Sequence, residues 1–185
     1  MNKDTQTSFV FLGFMSVLLA IIFAITSCSP KKDYTFLTIN REGLYNLITQ
    51  TYKIKPLKYH EFSGEIYSIP DIKWINEKYT PFFSDFLFKY NITKYKDFSN
   101  DCTKFVSYGL TCGYILFNKE GNAPVDTSLA IGEYSYIHWS MVIHSIIIFA
   151  VNDNGQIKLV FYEPQYQKII ELDKEQIEAC VDWSI

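Results

Sequence analysis

The stretch "VIHSIIIFAVNDNGQIKLVFYEPQ" constrains this chain most: two β-rich apolar runs meet at Asp153-Asn154-Gly155. Asn-Gly between such runs is the strongest short signal for a two-residue hairpin, because a type I′ turn needs positive φ at both central residues. The spacing therefore predicts an antiparallel pair with Asp153 opposite Gln156, which sets His144 opposite Gln165 and Ile146 opposite Glu163. Side chains alternate by two, so His144, Ile146, Glu163 and Gln165 emerge on one face. Glu163 becomes the diagonal neighbour of His144, about 7–8 Å away between backbones and within reach of a long side chain. Downstream, "YQKIIEL" predicts a further strand, and "DKEQIEACVDWSI" fits either a short helix or a last strand.

Before the hairpin the pattern changes to helical. "NDCTKFVSYGLTCG" carries Cys102, Phe105, Val106, Gly109 and Gly113 at the recurrence of one helix face. Asn100 or Ser99 is the expected N-cap, with Asp101 in the first turn, where an acid suits the helix dipole. Cys102 then lies in the first turn of a buried helix. "IPDIKWINEKY" predicts a short helix broken by Pro81, and "FFSDFLFKY" a second. "TFLTINREGLYNLITQTYKIKPLKY" mixes strand-like and helical pieces and predicts no single element.

The N-terminus resembles a bacterial lipoprotein leader. Lys3 precedes a nearly unbroken apolar run from Phe9 to Ile25 that ends in "ITSC", a lipobox-like string. Residues 1–27 are expected to be a signal peptide, 28–33 a tether with lipidated Cys28, and 34–185 one domain. An uncleaved membrane anchor is the alternative. Ser29 after the cysteine points to the outer membrane of the cell envelope. Hydrophobic residues make up 48% of the chain, enough for a packed core, and the net charge of −3 comes without a basic stripe, which argues against nucleic acid. After Cys28 three cysteines remain, and a Cys112–Cys180 disulfide would leave Cys102 free.

A histidine that starts a buried strand beside a carboxylate has what an imidazole needs to act as a base, and a helix N-terminus favours thiolate at Cys102. Gln165 on the same face can donate to a substrate. Asn100 or Asp97 can help the Cys102 N–H form an oxyanion hole, although capping also accounts for Asn100. His138 competes with His144 as base, and His60 lies far from every motif. Trp74 and Trp139 fit a groove or the core. Zinc would accept the same ligand types, but no close C-x-x-C pair is present, so no metal or other cofactor is expected.

"NDCTKF", a histidine opening an apolar strand, and "YEPQ", in the order Cys, His, Glu, resemble the papain-like cysteine peptidase domain of the Marasmius oreades agglutinin C-terminal type. Its bacterial relatives carry an Asp-Cys-x-x-Phe and a Glu-Pro-Gln motif, and the likeness spans roughly Tyr67 to Leu172. The resemblance implies an α+β, papain-like fold with the nucleophile helix packed against an antiparallel sheet. It also implies amide hydrolysis by Cys102 as nucleophile, His144 as base and Glu163 as its orienter, acting on a peptide or a peptidoglycan stem peptide. "NDCTKFV" is similar as well to the cysteine motif of NlpC/P60 and CHAP peptidoglycan hydrolases. A different class stays open beside these: a non-catalytic surface lipoprotein that uses the same scaffold to bind a partner protein or glycan.

Overall fold

The computed structural model describes residues 34–54, 62–92, 101–138 and 141–185. The leader, the tether with Cys28, and His60, Asp97, Ser99, Asn100 and Trp139 lie outside the described residues. Among the described residues, no helix is long and apolar enough to cross a membrane.

The first elements come from the stretch in which no pattern dominated. Strand β1, Phe36–Asn40, runs straight into helix α1, Arg41–Asn46, because the Asn40 side chain caps it by accepting from the Gly43 N–H at 2.8 Å. A π-helical turn, Leu47–Thr51, follows. Strand β2, Ile66–Pro70, pairs antiparallel with β1, setting Leu37 opposite Ile69. Helix α2, Ile72–Trp74, is capped by Asp71 and passes through a π-helical turn, Ile75–Tyr79, into helix α3, Thr80–Lys89. Pro81 therefore does not separate two helices as its position suggested. It sits in the first turn of α3, below a widened π-turn whose i→i+5 bonding relieves the demand for a proline N–H.

Helix α4, Cys102–Phe117, has Asp101 as its N-cap, the carboxylate accepting from the Lys104 N–H at 3.0 Å. This corrects the expected cap at Asn100 or Ser99 and puts Cys102 at the first helical position. The chain then forms β3 (Ser128–Leu129), β4 (Ile131–Ile137), β5 (Ile143–Asp153), β6 (Gln156–Glu163) and β7 (Lys168–Ile170). It ends in both elements that its last residues allowed, helix α5 (Lys174–Glu178) and strand β8 (Cys180–Ser184).

Strands β1, β2 and β3 make a small sheet, and β7-β6-β5-β4-β8 make a five-stranded antiparallel one. The β5–β6 hairpin has the expected register, with Asp153 opposite Gln156 and Ile147 opposite Tyr162. Its turn residues Asn154 and Gly155 take φ of 54° and 89°, as a type I′ turn requires.

The two faces of the five-stranded sheet bury separate cores. Ile147, Phe149, Val151 and Tyr162 pack with Trp74, Tyr79, Phe83 and Val106 from α2 to α4. Ile146, Ile148, Ala150 and Phe161 pack with Leu44, Ile48, Tyr134 and Trp183 on the other side. Gly109 lets α4 approach β5, since a Cβ there would run into Ile147 Cδ1. Cys112 belongs to the first core and Cys180 to the second, and neither is in a disulfide. The Cys112–Cys180 pairing that the residues left open is not formed: the sheet stands between the two sulfurs. Helices packed with largely antiparallel sheets, β2–β3 being the parallel pair, establish the α+β class.

Candidate functional site

The N-terminus of α4 meets the start of β5, and this junction brings the three chemistry-bearing residues together. Glu163 is buried at the end of β6, and its Oε2 lies 2.7 Å from His144 Nε2. The second carboxylate oxygen, Oε1, accepts from the Gln165 N–H at 3.1 Å, so the turn after β6 holds the acid in place. On its other side the His144 ring hydrogen-bonds the Cys102 thiol. The backbone of Ser145 bonds that sulfur too, and the Ser145 side chain is tied across the sheet to Ser135 at 2.7 Å.

This geometry shifts both titrations in complementary directions. The hydrogen bond from His144 lowers the Cys102 pKa most, assisted by the Ser145 backbone and opposed by partial burial. His144 is held up at about 9, first by its bond to Cys102 and then by Glu163, again against burial. An ordinary thiol titrates well above an ordinary imidazole; here the two titrations are drawn toward each other, each charged form stabilising the other. Asp101 does not oppose this at close quarters, because its carboxylate is turned into the helix cap.

The junction opens into a cavity of about 540 Å³, lined by Cys102, Tyr136, His138, His144, Glu163 and Gln165, with Val142, Ile143 and Tyr166 at its margin. His138 lies in this cleft, its ring 6.2 Å from that of His144, but the carboxylate partner shown is on His144. Tyr136 stands opposite His144 in the β4–β5 register and meets it edge-on at 5.7 Å between rings. The sequence carried a signal for Tyr136, the alternation of "EYSYIH", but placing it required the β4–β5 pairing. Trp74 is core, buried with its Nε1–H donating to Glu120 at 3.0 Å. Among the described residues, no group of three His, Cys, Asp or Glu is set to hold a metal ion.

No family model matches the chain, and no curated protein does. Solved structures do match it. One is the PSL1a-E64 complex, with a TM-score of 0.61 and 14% identity over 80% of this chain. Another is the Polyporus squamosus lectin bound to the human-type influenza-binding epitope Neu5Aca2-6Galb1-4GlcNAc, with a TM-score of 0.61 and 13% identity over 80% of this chain. The chain spans about half the length of each, 50% in both cases. At this identity the likeness is one of fold. It corrects the peptidase assignment made from the Cys, His and Glu motifs, and with it the hydrolase class and the peptide substrate. The architecture is shared with a lectin, and motif chemistry on a shared fold does not by itself carry an activity.

Proposed function

We propose that this chain is a binding protein rather than a hydrolase, and that its ligand seats in the cleft above Cys102, His144 and Glu163. The observation that carries this reading is the cleft itself: an open cavity of about 540 Å³ with a polar floor and aromatic walls. A saccharide is the ligand class in the lectin structure of the same fold. The cleft's chemistry suits one, since the exposed Tyr166 offers ring surface to sugar C–H groups while Gln165 and His138 offer hydrogen bonds. An acidic sugar would add a charge-assisted bond to the His144 imidazolium. Cys28, as a lipidated N-terminus, would tether the domain to the bacterial cell envelope, where surface glycans are at hand.

The test titrates the protein with Neu5Aca2-6Galb1-4GlcNAc and its asialo form by calorimetry, and incubates it with casein and with purified sacculi. Saturable saccharide binding that slows alkylation of Cys102, without cleavage of either polymer, is the expected result. Turnover of casein or sacculi that disappears in Cys102→Ala overturns the reading and restores catalysis.

A further inference from the structure

The margin of the cleft is apolar and exposed. Val142 is 62% exposed, Ile143 57%, Met141 83% and Tyr166 72%. Scattered exposed apolar side chains are ordinary, but Val142 before β5, Ile143 at its start and Tyr166 in the β6–β7 turn all line one cavity.

The turn before β5 and the β6–β7 turn each hold a non-glycine residue in the left-handed region. Met141 has φ of 63°, in a turn closed by the Met141 N–H to the His138 carbonyl at 2.8 Å and the His138 N–H to the Val142 carbonyl at 2.9 Å. Gln167 has φ of 53° in the turn between β6 and β7. Such a backbone costs free energy for a side chain with a Cβ and is maintained by its surroundings. Cys102, His144 and Glu163 supply the polar lining and Val142, Ile143 and Tyr166 the exposed apolar one, with Lys168 Nζ over the Tyr166 ring at 5.7 Å, so the cavity grades from polar to apolar toward Val142 and Ile143.

From this gradient we infer that the cleft takes an amphipathic ligand: its polar part lies over Cys102 and His144, and an aliphatic substituent lies on Val142, Ile143 and Tyr166. The inference rests on the cleft being a ligand site and adds the chemical class of what enters it. An acyl- or alkyl-bearing saccharide has this form. A purely polar one leaves the margin uncovered.

Cys102 itself provides a probe that needs no ligand identity. Full-length protein is treated with methyl and with hexyl methanethiosulfonate, and labelling at Cys102 is followed by peptide mass spectrometry. In each reaction the thiolate sulfur bonds to the alkylthio sulfur, the bond to the sulfonyl sulfur breaks, and methanesulfinate leaves with the electron pair. The hexyl-to-methyl rate ratio, divided by that of free glutathione, is expected to be roughly tenfold, the equivalent of covering about two methylenes. Val142→Ser, Ile143→Ser and Tyr166→Ser, all at exposed positions, should each lower that ratio. A wild-type ratio equal to that of glutathione, with fast methyl labelling, overturns the amphipathic ligand and leaves the cleft standing. Slow labelling by both reagents overturns the cleft and the inference together. A ratio that climbs on dilution shows the margin covered by a second copy, and also overturns it.

Discussion

Cys102 and Cys112 lie on one helix and differ only in where that helix puts them. Cys102 is the first helical residue, partly open to solvent and bonded to an imidazole and a backbone N–H, and its pKa is lowered. Cys112 is buried in the core beneath the same helix, and burial pushes its thiol up to about 12. One end of α4 therefore exposes a nucleophile and its middle hides an inert sulfur, a contrast set by desolvation against specific partners. The two sulfurs also face different consequences of change. Around Cys112 a lost contact costs packing, whereas around Cys102 it costs charge.

The largest expected effect tests that contrast directly. Under native conditions at pH 7.5, iodoacetamide should label Cys102 at least about a thousandfold faster than Cys112, because reaching Cys112 requires the core to open at a cost of several kcal/mol. Peptide mapping of a time course measures both rates in one sample, and comparable rates would break the comparison. Gly109 sits between the two thiols and sharpens it. In Gly109→Val the new Cβ runs into Ile147 Cδ1 and meets Tyr79 Oη at 2.8 Å. Overpacking of this kind should cost about 1–3 kcal/mol in urea unfolding. It should also slow Cys102 labelling at pH 7, since lifting α4 from β5 weakens the bonds from Ser145 and His144. A variant that loses stability but labels at the wild-type rate would show that the two ends of the helix are independent.

Which of these features could be read from the residues depended on the range of the interactions behind them. The hairpin register and the approach of Glu163 to His144 follow from Asn154-Gly155 and a period of two, both local. The buried face of α4 follows from the spacing of Phe105, Val106 and Gly109. The cap moved by one residue because Asp101 competes with Asn100 for the same role. Residues 36–51 were opaque because β1 is defined by its pairing with β2, across a long separation. The β4–β5 turn hid for a related reason: Met141 takes positive φ without the glycine or asparagine that usually advertises it. That turn carries the apolar margin of the cleft, so the site's floor was legible and its rim was not. The cysteine pairing stayed open for the same reason, since sequence spacing says nothing about which side of a sheet a cysteine faces. The peptidase reading asked motifs for an activity, and the structural likeness supplies a fold shared with a lectin.

The smallest expected effect separates the imidazole from the thiol. In the wild type the two titrate as a pair with opposed contributions. The raised His144 pKa gives stability that is full below its unfolded value of about 6.5 and is lost as pH rises through about 9. The lowered Cys102 pKa gives stability that is full above the ordinary thiol value and is lost as pH falls through the folded one. Between these limits the arms offset each other and stability changes little with pH. Cys102→Ala removes one arm. Glu163 still raises His144, so the variant should melt at a higher temperature at pH 6 than at pH 8.5, by about 2–4 °C after subtraction of the Cys102→Ala/His144→Ala double variant. A difference of the opposite sign would mean that burial, not Glu163, governs His144 once the thiol is gone.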